Sequence, residues 1–283
     1  MKIEPSHLSP EVMRRRIREG IWQGPTAGCC DGYLQANLVV LPKNQAYDFL
    51  LFCQRNPKPC PLLAATEPGD AEPKTIAPGA DLRTDLPRYR VYRRGRLEDE
   101  PLDLLRIWRE DLVSFLLGCS FSFDAALLEA GVPVRHLEEK KNVPMYVTRR
   151  ECERAGFFHG PLVVSMRPIP ESLVDRAAEI SSRLPLAHGA PVHIGNPSAL
   201  GIADLGRPDF GDAVSIRSNE IPLFWACGVT PQAVARRARP ELMITHAPGH
   251  MFITDLDQET ASSGESRSAG RGGAGEGCSG STW

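Results

Sequence analysis

The sequence predicts an α/β protein with a substantial parallel component in its sheet. Short apolar runs alternate along the chain with segments of helical periodicity. Proline and glycine fall at nearly every junction between them. A length of 283 residues is enough for one large domain or two modest ones with a full hydrophobic core.

The first element is a helix: Ser9-Pro10-Glu11 reads as cap, first-turn proline and acidic first turn, and Gly20 ends it. Residues 33–42, "YLQANLVVLP", form a strand candidate stopped by Pro42, and 45–55 have helical character. "PLLAA" is a short buried strand, and the Pro/Gly-rich segment 66–80 is a loop. Between Leu102 and Leu117, Leu105, Trp108, Leu112, Phe115 and Leu116 recur at three and four, which predicts a helix ended by Gly118. "GCSFSFDAALLEAG" predicts a second helix, capped by Ser122 and ended by Gly131. "MYVT" and "GPLVVSMRPIP" are strand-like, and a helix follows over 171–183. "VHIG", "AVSI", "IPLFWACG" and "LMITHAPGHMFITDL" supply further strands, with a helix opening at Pro231. Beyond Asp257 the composition changes: 13 of residues 261–283 are Gly or Ser, which predicts a disordered tail in which Cys278 has no functional part.

Composition excludes several classes. A formal net charge of −2 provides no electrostatic footprint for nucleic acid or an anionic membrane. Basic runs such as "PRYRVYRRGR" are offset by acidic ones such as "LEDEPLD" and read as solvated faces. No apolar run approaches the roughly 20 residues that span a bilayer, and "MKIEPSHLSP" has no export or transit pattern, so the expected location is the cytoplasm. Eight cysteines contain no C-x-x-C pair, so free thiols are expected.

Two turns carry the clearest chemistry. In "LFWACGVTPQ" a strand delivers Cys227 and Gly228 to a turn, and Thr230 with Pro231 caps and opens a helix. Unpaired N–H groups there stabilise a thiolate or bind an anion. Cys119, Ser120 and Ser122 stand in the same way before the other capped helix. His188 and His193 are five residues apart, with Asp204, Asp209 and Asp212 following. Gly189 and Pro191 break any helix between the histidines, and Pro248 and Gly249 do the same between His246 and His250. No metal-ligand spacing results, so no metal and no other cofactor is expected. The loop histidines and aspartates are better read as proton carriers or hydrogen-bonded structural groups.

The blocks "GYLQANLVVLP", "FCQRNPKPCPLL", "DLRTDLPRYRVYR", "GCSFSF", "NVPMY", "GPLVVSMRP", "HGAPVHIG", "FWACGVTPQ" and "THAPGHMFITDL" run in order from about residue 14 to 257. Together they resemble the D-glutamate cyclase family, whose bacterial members are described as hydro-lyases. Asn196, where many relatives have aspartate, and "AGCCDGY" depart from its pattern. The resemblance implies a three-layer sandwich with a largely parallel or mixed sheet, plus a smaller α+β lobe. The corresponding division is a main domain of 1–135 and 196–257, a lobe of 136–195 and a tail of 258–283. It also implies conversion of D-glutamate to 5-oxo-D-proline with loss of water, on a small carboxylate or amino-acid substrate.

Such a cyclisation needs a neutral amine, an electrophilic γ-carboxyl and an acid to release water. His188, His193, Asp204, Asp212 and His246 are candidate proton carriers. Arg83 and Arg167 are candidate carboxylate clamps, and Asn142 joins Cys119, Ser120, Ser122, Gly228 and Thr230 as a binding residue. Cys227 is either an anion-site residue or a nucleophile that forms a thioester. A dehydratase of another small hydroxy or amino acid, and a non-catalytic carboxylate binder, use the same features. The oligomeric state is left open, a homo-oligomer included.

Overall fold

The computed structural model describes residues 4–257; the Gly/Ser-rich tail and Cys278 lie outside the described residues. The chain opens with α1 (Pro10–Arg18), where the Ser9 hydroxyl accepts from Val12 N–H at 3.4 Å. Then come β1 (Tyr33–Pro42), α2 (Lys43–Arg55), β2 (Leu62–Ala65), β3 (Tyr89–Arg93), β4 (Arg96–Asp99) and β5 (Leu112–Gly118). α3 (Phe121–Glu129) and the short α4 (Arg135–Glu138) lead to β6 (Met145–Glu151), β7 (Pro161–Pro170), α5 (Val174–Ser182) and the two-residue β8 (His193–Ile194). β9 (Glu220–Ala226), α6 (Thr230–Ala238), β10 (Leu242–His246) and β11 (Phe252–Asp257) complete it.

The architecture is mixed α/β, built on two sheets. Seven strands make the first, in the order β2-β5-β1-β10-β3-β4 with β11 also paired to β1; the second has the order β6-β7-β9-β8. Every pairing between these strands is antiparallel, which corrects the expected parallel component. The reason is insertion. β1 and β2, joined through α2, do point the same way, but β5 enters between them and runs against both. Strand–helix alternation fixes relative direction, not adjacency. β9 pairs with β7 and β8, so the second sheet draws on residues from both sides of the expected 195/196 boundary.

β1 organises the core. Its residues Ala36, Leu38 and Val40 enter one apolar cluster with Leu116, Ile244 and Tyr89, while Val39 and Leu41 enter another with Phe49, Phe52 and Phe115. A strand buried on both faces shows no polar alternation, and β5 is buried at every position. That corrects the helix expected over 102–117: Leu112, Phe115 and Leu116 mimic a helical stripe because both faces of β5 are apolar. The strand expected at 213–216 does not form, and the charged stretch beginning at Tyr89 is instead the β3–β4 hairpin. Its two-residue turn, Arg94-Gly95, holds both φ angles positive (49° and 81°), as the twist of a tight hairpin demands.

Candidate active site

Two turns of similar construction, each opening with a cysteine, meet on β1. After β5, Cys119 and Ser120 lead into α3; after β9, Cys227, Gly228 and Val229 lead into α6. Each thiol accepts the backbone N–H two residues ahead, that of Phe121 or Val229. Asn37 of β1 joins the turns: its Nδ2 donates to Gly118 O at 2.6 Å, and a Cβ on Gly228 would stand 2.0 Å from that nitrogen. Gly228 therefore has no substitute without moving Asn37. The other side of Gly118 is covered by residues 185–187, because a Cβ there would stand 1.6 Å from Leu186 O. His188 follows directly, at φ 75°. Both thiols are packed in one apolar cluster with Phe121, Val143, Met145, Phe210, Val229 and Met251.

Arg167 of β7 is the buried cation nearby. Its Nε and Nη2 donate to the two oxygens of Asp124 at 2.7 and 3.0 Å. Nη1 donates to Ser165 Oγ and Nη2 to Ser120 Oγ, both at 3.1 Å. The guanidinium lies 4.7 Å from the Phe123 ring centroid and 5.5 Å from that of Trp225. His136 Nε2 stands 3.4 Å from Asp124 Oδ2. Burial alone would raise the Asp124 pKa, but Arg167 and then His136 outweigh it and hold the carboxyl below its usual range. Asp124 also lines a cavity of about 390 Å³ with Phe121, Gln35, Asp31 and Glu129, so open space reaches the centre from the α3 side.

Burial sets the protonation of the reactive groups. It pushes the Cys119 thiol up to about 12 and that of Cys227 to about 11, against the opposing pull of one N–H each and of Arg167. The stabilised thiolate expected at Cys227 is therefore not formed at neutral pH; desolvation outweighs a single helix-start N–H. Both thiols are protonated at neutral pH. For His188, burial lowers the pKa to about 4. Its Nδ1 lies 2.6 Å from Lys58 O, and since a carbonyl only accepts, Nδ1 carries the proton. Nε2 is then a lone-pair acceptor, buried and without a hydrogen-bond partner.

The structure thus brings together Cys119, Ser120, Arg167, His188, Cys227 and Gly228. Thr230 belongs with them as a brace and not as a helix cap: its hydroxyl donates to Cys227 O at 2.7 Å and accepts Val163 N–H at 3.1 Å. Ser122 lies inside α3, where its hydroxyl accepts Gln35 N–H at 3.1 Å instead of capping the helix. Others stand elsewhere. Arg83 has its fork filled by Asp81, at 2.9 and 2.8 Å. His193 Nε2 donates to Asn196 O at 2.8 Å, and Asp204 accepts Gly206 N–H at 2.7 Å. Asp212 accepts Asn142 N–H at 2.9 Å. His246 accepts Leu38 N–H at 3.2 Å, and burial takes its pKa down to about 3. Asn37, Asp124, His136 and Ser165 carry no sequence signal that marks them; Asp124 and Arg167 are 43 residues apart. Among the described residues no group of three or more His, Cys, Asp or Glu could hold a metal ion, and no helix is long and apolar enough to cross a membrane.

The comparisons with known proteins assign the family. The D-glutamate cyclase family model matches residues 113–255, a span holding both cysteines, Asp124, Arg167 and His188. The chain is 63% identical over 258 residues to a protein of Thermoanaerobacter sp. (strain X514), covering 91% of this chain and 97% of that one. It is 60% identical over 253 residues to YcsI of Bacillus subtilis (strain 168), covering 89% and 98%. A relative in Rubrobacter xylanophilus is 64% identical over 242 residues, covering 86% and 93%. Each of the three carries hydro-lyase as a provisional name. A solved nitrogen repressor-like protein of Methanococcus jannaschii aligns over 89% of this chain and 99% of that one, at a TM-score of 0.35 and 8% identity, a likeness that carries no argument. The chain belongs to the D-glutamate cyclase family.

Proposed function

We propose that the chain is a hydro-lyase that closes D-glutamate, or a close amino-acid relative, to 5-oxo-D-proline by acid/base catalysis from its own side chains. The observation that carries this reading is the pair of protonated thiols at matched strand-to-helix turns, with the unpartnered Nε2 of His188 on the adjoining segment. In the reaction the α-ammonium first loses a proton to His188 Nε2. The neutral amine attacks the γ-carboxyl carbon, so one C–N bond forms. One carboxyl oxygen then leaves as water, with protons supplied by the thiols and by the amine. His188 returns its proton to the thiols, and ammonium plus carboxylate have become amide plus one water. General acid/base assistance of this kind contributes about 10²–10⁴-fold, and intramolecular attack supplies effective concentration without a covalent intermediate. Arg167 acts here as a fixed positive charge that stabilises the developing oxyanion; its fork is filled by Asp124.

The test is direct. Purified protein incubated with D- and with L-glutamate is assayed for 5-oxoproline. Turnover of the D isomer is expected, with loss of turnover in a folded Cys119→Ala/Cys227→Ala variant. No product from either isomer, or full activity in the double variant, overturns the reading.

A further inference from the structure

An amino dicarboxylate needs a cation for its carboxylate, and Arg167 cannot offer its fork. A second cavity does have one available. About 420 Å³ in volume, it is lined by Arg88, Arg90, Asn142, Phe210 and His250, with Glu100 and Asp209 also on its wall. The Arg88 side chain has no hydrogen-bond or ion-pair partner among the described residues, and its Nε is buried. Asn142 presents the complementary need. Its Nδ2 donates to Pro248 O at 3.3 Å, and because a carbonyl only accepts, that contact fixes the orientation of the amide. Oδ1 is left buried with no donor. Gly249, at φ 81°, makes room: a Cβ there would stand 2.5 Å from Asn142 Nδ2. Burying unpaired polar groups is costly, so an occupant that satisfies both is favoured.

The cavity and the thiol cluster meet at Phe210. Phe210 lines the cavity and also packs in the cluster that holds Cys119 and Cys227; that cluster includes Val143 and Met251, the chain neighbours of the cavity residues Asn142 and His250. Arg90, the second cation, donates to Glu100 at 2.5 Å and to Gln232 Oε1 at 3.2 Å. Gln232 lies in the first turn of α6, the helix that the Cys227 turn opens.

We propose that Arg88 and Asn142 are the recognition residues for an α-amino or α-hydroxy carboxylate: Arg88 takes the carboxylate, and Asn142 Oδ1 accepts from the donor on the adjacent carbon. This assignment rests on the thiol centre being the reacting site. It makes Arg88 and Asn142 specificity residues and gives neither a chemical step.

Calorimetric titration of the full chain tests it with two probes, D-2-hydroxyglutarate, which has the donor but no amine to cyclise, and glutarate, which lacks the donor. The hydroxy acid should bind about tenfold tighter, the effect of pairing one buried acceptor. Arg88→Ala should weaken both by at least about tenfold, as loss of a charged hydrogen-bond partner does. Arg88→Lys, which keeps the charge and removes Nε–H, covers the case in which the alanine variant does not fold, and should weaken both in the same direction. Asn142→Leu should erase the difference between the probes. Neither probe has an amine to cyclise, so binding is read without turnover and failure of the proposed reaction leaves this result readable. Equal binding of the probes by the parent, affinity unchanged in the Arg88 variants, or no saturable heat from either probe overturns the assignment.

Discussion

Residues 188–212 and the centre around Arg167 are both rich in polar side chains, and they end in opposite conditions. In the first region Asp204, Asp209 and Asp212 are exposed and accept backbone N–H groups from nearby loops and strands. His193 bonds a carbonyl three residues away. In the second, Arg167, Asp124, His136, Ser120 and Ser165 are all buried; Arg167, Asp124, His136 and Ser120 are each held by a group on another element, and Ser165 by Arg167 of its own strand. Polar density along a chain does not locate a site. What does is the set of polar groups that strands and helices carry into the interior, where each must find a partner. His188 is the exception within its own segment, being buried and aligned with the second region.

The largest effect should come from breaking the buried pair. Asp124→Ala leaves the Arg167 guanidinium buried without its counter-charge, which costs about 3–5 kcal/mol. Chemical denaturation measures it. Arg183 and Glu179 make the control: their side chains are 70% and 64% exposed, so Glu179→Ala should cost less than about 1 kcal/mol. Equal costs for the two variants would remove the distinction between the regions.

The thiols come next. Both are protonated at neutral pH, so their proposed role is to donate a proton toward the departing oxygen. Cys227→Ala should reduce turnover by about 10²–10³-fold, the usual consequence of deleting one such donor. Cys227→Ser keeps an O–H and should stay within about tenfold of the parent. A thioester caught by mass spectrometry during turnover would make Cys227 a nucleophile instead.

The buried histidines sharpen the contrast through pH. Burial lowers His188 to about 4 and His246 to about 3, both below the ordinary value of 6.5. Above pH 6.5 these rings are neutral in both folded and unfolded chains and place no pH dependence on stability. As the pH falls below 6.5 the unfolded chain takes up protons that the folded chain refuses, so stability drops. Each histidine contributes a slope of about 1.4 kcal/mol per pH unit in that window. The contribution of His188 levels off near pH 4 and that of His246 near pH 3. Denaturation midpoints between pH 7 and 4.5 in His246→Gln should show a shallower fall than the parent. An unchanged slope would mean that His246 is protonated in the fold.

Legibility in the sequence followed the same division. β1 was readable from Tyr33 to Pro42 because tyrosine and proline bracket an apolar run, and α1 because Ser9 and Pro10 state its start. The Cys119 and Cys227 turns were readable because a strand end, a small residue and a helix start occur within a few positions. β5 was not, since a central strand with two apolar faces yields a stripe indistinguishable from a helical one. The β3–β4 hairpin was hidden by exposed arginines, and its Arg94-Gly95 turn lacks the Asn or Asp that usually announces one. The Arg167–Asp124 pairing has no local trace at all. Only the packing of β7 against α3 creates it, and the same holds for Asn37, which becomes part of the centre only because two distant turns close on β1.

The smallest effects should come from the loop. His193→Ala removes a hydrogen bond to Asn196 O and a ring contact with Phe224, within a segment that keeps its backbone bonds to β9. Asp204→Ala removes a bond to Gly206 N–H on an exposed turn. Surface changes of this kind usually stay within about 0.5 kcal/mol. Neither residue is joined to the thiols or to Arg167 by any contact described above, so turnover should stay within about twofold of the parent. Asp212→Ala separates the regions further, since Asp212 holds the Asn142 backbone. It should leave melting temperature nearly unchanged while weakening the preference for D-2-hydroxyglutarate over glutarate. If His193→Ala instead abolished turnover at an unchanged melting temperature, the chemistry would lie on the exposed loop, and the buried centre would be left with a structural role alone.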